Sequence, residues 1–240
     1  MLAEILILIV VSFAAPVIYL VIIRNSERYE REKWRALSSA FLWGAIPAVI
    51  LTSILETPFS GDVFILVVFA APFIEELTKP LGVNRVRKEI NELEDGIIFG
   101  VACAMGFAAV ENVLYVGSFW MEYGVGAAMS EALLRSISSV FLHASATAFT
   151  GYGIARALLM KKSMLTVVPY YLLAVFLHGG FNFLASIGMG FQYFEELREV
   201  SAEEATLVTL SAILLAIVCF SAVYAMVRRL EGSLSRSKEL

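Results

Sequence analysis

The run V-F-I-L-V-V-F-A-A-P-F-I-E-E-L-T-K, Val63 to Lys79, decides how the chain is read. Its first part is continuous apolar sequence, and three ionisable side chains, Glu75, Glu76 and Lys79, enter at its end. On a helix Glu75 and Lys79 stand at i,i+4, and Glu76 reaches the same lysine at i,i+3, so two acids and one base share a face. A carboxylate or ammonium at the centre of a bilayer costs roughly 2.5 to 3.5 kcal/mol on insertion scales, so such groups are paired and functional where they occur. Taken alone, the stretch reads equally well as a helix end at the lipid headgroups, with Lys79 snorkelling and Pro80 stopping the helix. The rest of the chain decides between the two.

The 240 residues are 59% hydrophobic with a mean hydropathy of +0.79, against roughly 45 to 50% apolar content in soluble domains. Apolar runs near the 20 residues needed to cross hydrocarbon recur at about 2–23, 37–55, 63–79, 97–116, 133–159, 167–187 and 205–227. The expected fold is an all-α, polytopic membrane helix bundle of about seven transmembrane helices. One integral-membrane domain covers 1–240, with a motif-bearing core at about 63–188 and a short tail at 228–240. The first segment carries Glu4 and is followed, not preceded, by basic residues, so it reads as a retained helix and not a signal peptide.

Orientation follows from the basic residues. Arg24, Arg28, Arg31, Lys33 and Arg35 fall in the first loop, Arg85, Arg87 and Lys88 in the third, Arg156, Lys161 and Lys162 in the fifth, and Arg228, Arg229, Arg236 and Lys238 in the tail. Arg135 and Arg198 fall on the other side. The positive-inside rule then puts the N-terminus outside and the C-terminus in the cytoplasm, in a multi-pass protein of the cell membrane. On that outer side, residues 117–130, with Trp120 and Tyr123, read as a chain lying along the interface. Glu195, Glu196, Glu199, Glu203 and Glu204 make an acidic loop, and Ser201 with Glu204 forms a capping box. A net charge of −4 with scattered basic residues excludes nucleic acid as a partner. Cys103 and Cys219 lie inside apolar runs and pack as small hydrophobes. No internal repeat supports an inverted-repeat transporter.

The later spans carry their own polar residues. Glu111 has apolar neighbours on both sides, on a helix whose small residues Gly96, Gly100, Ala104 and Ala108 let another helix come close. His143 and His178 are the two histidines of the chain. Asn182, one turn from His178, shares its face, and Gly179 and Gly180 leave room for a foreign backbone. Each histidine alone reads as a hydrogen-bonded core residue. Spread over lipid-facing surface, the whole set would be prohibitively costly, whereas one wet cavity satisfies it together. Depth strains this picture. At about 1.5 Å per residue, Glu111, His143 and His178 lie roughly 16 to 24 Å from one end of their spans, and Glu75 only about 7 Å from Pro80. Either the third helix continues past Pro80 or the site is a tall funnel.

Such a set suits peptide hydrolysis, which needs a base for water, donors for the oxyanion and an acid for the leaving amine. Glu75 and Glu111 fit the proton-transfer roles, and His178 with Asn182 an oxyanion clamp. The order Glu75-Glu76-x-x-Lys79, Phe107-x-x-x-Glu111, His143 in a small-residue helix and His178-x-x-x-Asn182 resembles the PrsW intramembrane proteases, as do Asp95-Gly96 and Glu111-Asn112-x-Leu114-Tyr115. That family stands with the CAAX-type prenyl endoproteases and bacteriocin-processing enzymes. The resemblance implies a glutamate-dependent endopeptidase acting on membrane-anchored protein substrates such as an anti-sigma factor. It assigns water activation to Glu75 with help from Glu111, oxyanion stabilisation to His178 and Asn182, and support to Glu76, Lys79 and His143. CAAX enzymes end the second motif in histidine where this chain has Glu111, which favours the PrsW branch over prenyl processing.

Two histidines and a glutamate would also make a zinc site, yet no His-Glu-x-x-His helix is present, and the expectation is catalysis without a metal or other cofactor. A proton-coupled transporter and a non-catalytic membrane scaffold are the competing classes, because buried Glu, His and Lys also relay protons or bind partner helices.

Overall fold

In the computed structural model, which describes residues 2–27, 31–188 and 201–238, every regular element among the described residues is helical. The chain runs through α1 (Leu2–Ser26), α2 (Trp34–Trp43), α3 (Val49–Glu56), α4 (Ala71–Thr78), α5 (Leu81–Arg85), α6 (Leu93–Tyr123), α7 (Val125–Ile137), α8 (Ser139–Leu159), α9 (Val168–Gly188) and α10 (Ala202–Lys238). Six stretches among the described residues are long and apolar enough to cross a membrane: Ala3–Ser26, Trp34–Phe59, Leu93–Tyr123, Val125–Leu159, Met164–Ile187 and Ala202–Leu230. The seventh expected span is the shorter third helix, residues 63–78.

Two prolines explain two departures from plain α-helix. Pro47 lies inside the π-helical turn Gly44–Ala48 that joins α2 to α3, and Pro72 follows the π-helical turn Ile65–Ala70 that leads into α4. A proline has no N–H for the carbonyl four residues back and its ring crowds that carbonyl, and a widened turn absorbs the mismatch.

Residues 117–130 differ from expectation. They do not lie along the surface as a separate chain: α6 runs on to Tyr123, Gly124 turns the backbone at φ +85°, and α7 folds back. Val116, Ala128 and Ala132 are buried there against Leu8, Val11 and Trp120, so the hairpin gains an apolar contact with α1 that an interfacial chain would lack. Arg135, counted on the outer side at the start of the expected span 133–159, is a buried residue of α7. The capping box at Ser201 and Glu204 is present, with Glu204 N donating to Ser201 Oγ and Ser201 N to Glu204 Oε2. Arg28, Arg198, Glu195, Glu196 and Glu199 lie outside the described residues.

The bundle is organised on α6, whose residues 94–109 are all buried. On one face α8 approaches to backbone contact. A Cβ on Gly96 would strike the Gly151 carbonyl, one on Gly151 would strike that of Gly96, and one on Gly100 would lie 2.7 Å from Thr147 O. On another face Gly106 meets the Phe41 carbonyl, and Gly44 meets that of Cys103. Small residues thus let three backbones pack where apolar lipid offers no hydrophobic drive for association.

Polar contacts gather at the end where α1 finishes and α6 begins. Arg228 donates to Ser26 O, Arg24 Nε to Glu32 O at 2.7 Å, and Lys33 pairs with Glu89 at 3.0 Å. Glu27, Glu32 and Asp95 form a buried acidic group in this region. Burial, then the neighbouring Asp95, push the Glu32 carboxyl up to about 8, so it carries the proton that it gives to Asp95.

Candidate active site

The backbone at Lys79–Pro80 shows how the third helix meets the rest of the bundle. The third helix ends at Thr78, Pro80 O accepts from Val83 N as the chain turns directly into α5, and Pro80 and Val83 are buried against the bundle. Trp43 Nε1 donates to Thr78 O at 3.1 Å, and the Thr52 and Thr78 hydroxyls bond at 2.8 Å, which fixes the helix rotation just before the turn. Glu75, Glu76 and Lys79 are consequently interior residues, at 6%, 0% and 0% exposure.

Lys79 is the hub. Its ammonium has three protons, and three acceptors surround it: Glu75 Oε2 at 3.3 Å, Glu76 Oε1 in a very short ion pair, and His143 Nδ1 at 3.0 Å. The Phe107 ring lies 4.9 Å from Nζ and adds a cation–π contact. Glu76 takes two further donors, Thr147 Oγ1 at 2.9 Å and His178 Nδ1 at 3.0 Å. A fully buried carboxylate with three such partners is a fixed strut.

Two hydrogen-bond directions follow from these pairs. Paired with the Lys79 ammonium, Glu76 is an acceptor, so His178 carries its proton on Nδ1 and presents a lone pair at Nε2. Lys79 likewise donates to His143 Nδ1, so His143 donates through Nε2 to Glu111 Oε2 at 2.9 Å. The two imidazoles meet edge to face with centroids 4.8 Å apart. Glu75 Oε2 stands 3.8 Å from His143 Nδ1 and 3.9 Å from His178 Nε2, too far for direct hydrogen bonds.

Of the residues singled out from sequence, Glu75, Glu76, Lys79, Glu111, His143 and His178 thus form one continuous network drawn from four membrane helices. Asn182 stands apart: its Nδ2 donates to the Val67 carbonyl at 2.9 Å, one turn along α9 from His178.

Three participants escaped the sequence reading. Arg135 forks between Glu111 Oε2 at 2.6 Å and Asn112 Oδ1 at 2.7 Å, reaches Ser139 Oγ at 3.2 Å, and lies 4.1 Å over the Tyr115 ring. Its signal was being one of the two basic residues on the minority side, with Glu131 and Ser139 each one turn away. Thr147 was visible only as a hydroxyl in a small-residue run. Glu56, at the end of α3, acts electrostatically on Glu75 and Glu111, and its Oε1 is buried without a hydrogen-bond partner among the described residues.

The Glu75, His143 and His178 ligand atoms all lie within 4.8 Å of one another. Each imidazole is also backed by a carboxylate, His143 by Glu111 and His178 by Glu76, as histidines that bind metal commonly are. The donor set fits a divalent ion. Lys79 Nζ currently bonds two of the three ligands, so ammonium and ion compete for the same acceptors.

Comparison with known proteins agrees with the geometry. A family model described as "PrsW family intramembrane metalloprotease" matches residues 32–218. The chain is 30% identical over 154 residues to the Protease PrsW of Oceanobacillus iheyensis, covering 60% of this chain and 67% of that one. It is 30% identical over 178 residues to the Protease PrsW of Clostridioides difficile, covering 69% and 73%, and 24% identical over 168 residues to that of Bacillus subtilis, covering 66% and 73%. No solved structure matches. These relationships decide for a peptidase over a transporter or an inactive scaffold, and a multi-pass bundle of this kind is a membrane protease. The chain belongs to the PrsW family of intramembrane metalloproteases.

Proposed function

We propose that the protein cleaves peptide bonds of membrane-anchored protein substrates with a water molecule held between Glu75 and His178. The observation that carries this reading is the 3.9 Å separation of Glu75 Oε2 and His178 Nε2. Both atoms are acceptors, and one water donating a hydrogen to each would satisfy them and leave its own lone pair directed at a carbonyl carbon. Glu75 takes the proton as the water attacks and returns it to the amide nitrogen as the C–N bond breaks. His178 holds the second hydrogen and so orients the nucleophile. Lys79, fixed by Glu76, offsets the charge of Glu75 throughout.

Asn182 would serve the oxyanion only after leaving Val67 O, and His178 only once Nε2 is protonated, so oxyanion donation arises on substrate binding. Glu111 supports the site through His143. The whole of 1–240 acts as one domain, with the N-terminus outside the cell membrane and the C-terminus in the cytoplasm.

A second reading is favoured by the donor triangle and by the description of the family. Glu75, His143 and His178 would hold a zinc ion there, and the ion would acidify bound water and polarise the scissile carbonyl. In either form the chain supplies the same first groups.

The test is cleavage of a membrane-anchored reporter by purified, folded protein in liposomes, with Glu75→Gln and Glu111→Gln beside the parent. Loss of cleavage in Glu75→Gln is expected; full cleavage by both variants would end the proposal. Exhaustive chelation and elemental analysis of the parent separate the two readings: retained activity without stoichiometric zinc supports water held by protein groups alone. Comparative membrane proteomics of cells carrying the parent or Glu75→Gln identifies the substrate.

A further inference from the structure

A groove of about 720 Å³ lies between the third helix and α9. Its walls are apolar and carry no charged side chain; Phe69, Phe73, Phe176 and Phe183 form its rim, all substantially exposed, with Gly179 and Gly180 between them. The two helices are joined at three points: Tyr171 donates its hydroxyl proton to Phe73 O at 2.8 Å, His178 Nδ1 bonds Glu76 at 3.0 Å on the site side, and Asn182 donates to Val67 O at 2.9 Å. Beside His178, Gly179 sits against the Val68 carbonyl, so closely that a Cβ would lie 2.8 Å from it. No side chain of α9 interlocks at that point. Ile74 and Gly179, both in the groove, are the immediate chain neighbours of Glu75 and His178.

We infer that this seam is the lateral gate of the protease and that the groove docks an apolar transmembrane segment of the protein substrate. The inference rests on the peptidase reading and adds where the substrate enters. A membrane-embedded substrate must reach Glu75 from lipid, and this uncharged trough leads to the seam flanked by Glu75 and His178. An intact helix keeps its carbonyls bonded and shielded, so docking precedes local unwinding at the seam. Parting the helices along their whole length breaks three side-chain hydrogen bonds, two aromatic contacts and a glycine contact, and parting them at the groove end alone spares the His178–Glu76 bond. One of those bonds is the one that withholds Asn182 from the site, so entry of substrate and release of a candidate oxyanion donor are the same event.

Gly180 makes the proposal testable, because a Cβ built on it meets no atom within 4 Å. A side chain there starts into the groove with its Cβ clear of the fold. The experiment uses the full chain with Glu75→Gln, so that nothing is cleaved, and a photoreactive benzoylphenylalanine in place of Phe176, in phosphatidylcholine liposomes. The probe is a lysine-flanked Leu/Ala peptide with about 20 apolar residues. Expected is a peptide adduct at 176 that falls by about tenfold, the equivalent of 1.4 kcal/mol, when Gly180→Leu is added. The photoreactive residue at Leu214, exposed on α10, gives background only. Adducts to phospholipid alone, equal peptide adducts at 176 and 214, or an adduct indifferent to Gly180→Leu would overturn the proposal. Should Gly180→Leu lower the folded yield, Gly180→Ala carries the same comparison at smaller amplitude. Because the readout needs no hydrolysis, its failure leaves the peptidase reading to stand or fall on Glu75→Gln.

Discussion

Arg135→Met is the most informative single change outside the Glu75–His178 pair. Methionine keeps an unbranched apolar stem and removes the guanidinium. Lost with it are a charge-assisted bond to Glu111 at 2.6 Å, a bond to Asn112 at 2.7 Å, a weaker one to Ser139 at 3.2 Å and the stack on Tyr115. Hydrogen bonds to charged groups contribute about 1.5 to 3 kcal/mol each, and breaking a buried ion pair by removing one partner costs about 3 to 5 kcal/mol. The Glu111 side chain retains 19% exposure, so water recovers part of its solvation. The expected loss is about 3 kcal/mol, the low end of that range.

The decisive measurement is a double-mutant cycle with Glu111→Gln, read by equilibrium unfolding in detergent micelles. With the carboxylate already neutral, Arg135→Met should cost about 2 kcal/mol less than in the parent, within the coupling found for residues in contact. Arg135→Lys should recover no more than half of the loss, because an ammonium cannot reproduce a planar fork spanning Glu111 and Asn112. Additivity of the two single changes to within about 0.5 kcal/mol would refute the claim that Arg135 holds Glu111 in place.

Three further outcomes are expected. Gly100→Leu drives a side chain into Thr147 O, a backbone atom that cannot yield, and should destabilise the fold by about 1 to 3 kcal/mol and lower cleavage, whereas Gly126→Leu, with open space at its Cβ, should do neither. Thr147→Val removes one of the donors to Glu76 and should cost about 1.5 to 3 kcal/mol in the same unfolding assay; an unchanged midpoint would show that Glu76 does not need it. Glu32 has its folded-state pKa raised from 4.5 to about 8, so the folded protein binds that proton more tightly than the unfolded chain. Its contribution to stability is complete below about pH 4.5 and is lost as pH rises through about 8. Glu32→Gln should therefore flatten the fall in thermal stability across that interval, and an unaltered slope would mean that other groups set it.

The membrane bundle and the convergence of most of the candidate residues were legible because ionisable groups in apolar runs are expensive enough to leave one economical arrangement. Glu75, Glu76, Lys79, Glu111, His143 and His178 each interrupt such a run, and their convergence follows from that cost. Arg135 was not legible in the same way, since it stood at the very start of the run 133–159, just after residues 117–130 that read as a surface chain, and so counted as a basic residue of the outer side. What overrode that reading is tertiary: Val116, Ala128 and Ala132 are unremarkable in sequence until Leu8 and Val11 of α1 cover them. Pro80 stops one helix, as its place in the sequence suggests, and starts the next; what the sequence did not show is that Lys79 and Val83 on either side of the turn are fully buried. Asn182 shares a helix face with His178 as its spacing required, yet periodicity is silent on which of two neighbouring acceptors an amide will take, and Val67 O lies in a π-turn whose presence had to be seen.

Charge balance gives the cluster its remaining logic. Glu75, Glu76 and Glu111 bring three carboxylates, and the only fixed cations bonded to them among the described residues are Lys79 and Arg135. Glu76 holds Lys79, and Glu111 holds Arg135. Glu75 is left with the longest of the ion-pair contacts, a share in Lys79 at 3.3 Å, while His143 and His178 stand just beyond bonding distance. Full compensation would have produced a stable strut, which is what Glu76 is. The undercompensated acid is the one placed at the seam with α9. A buried group short of one positive charge has an affinity for a cation, and a proton drawn from water and a metal ion are the two cations that peptide hydrolysis can use there. The same deficit therefore underlies both readings of the mechanism, and Glu75→Gln, which removes it without changing shape, should abolish cleavage under either one while leaving the Lys79–Glu76 and Arg135–Glu111 pairs in place.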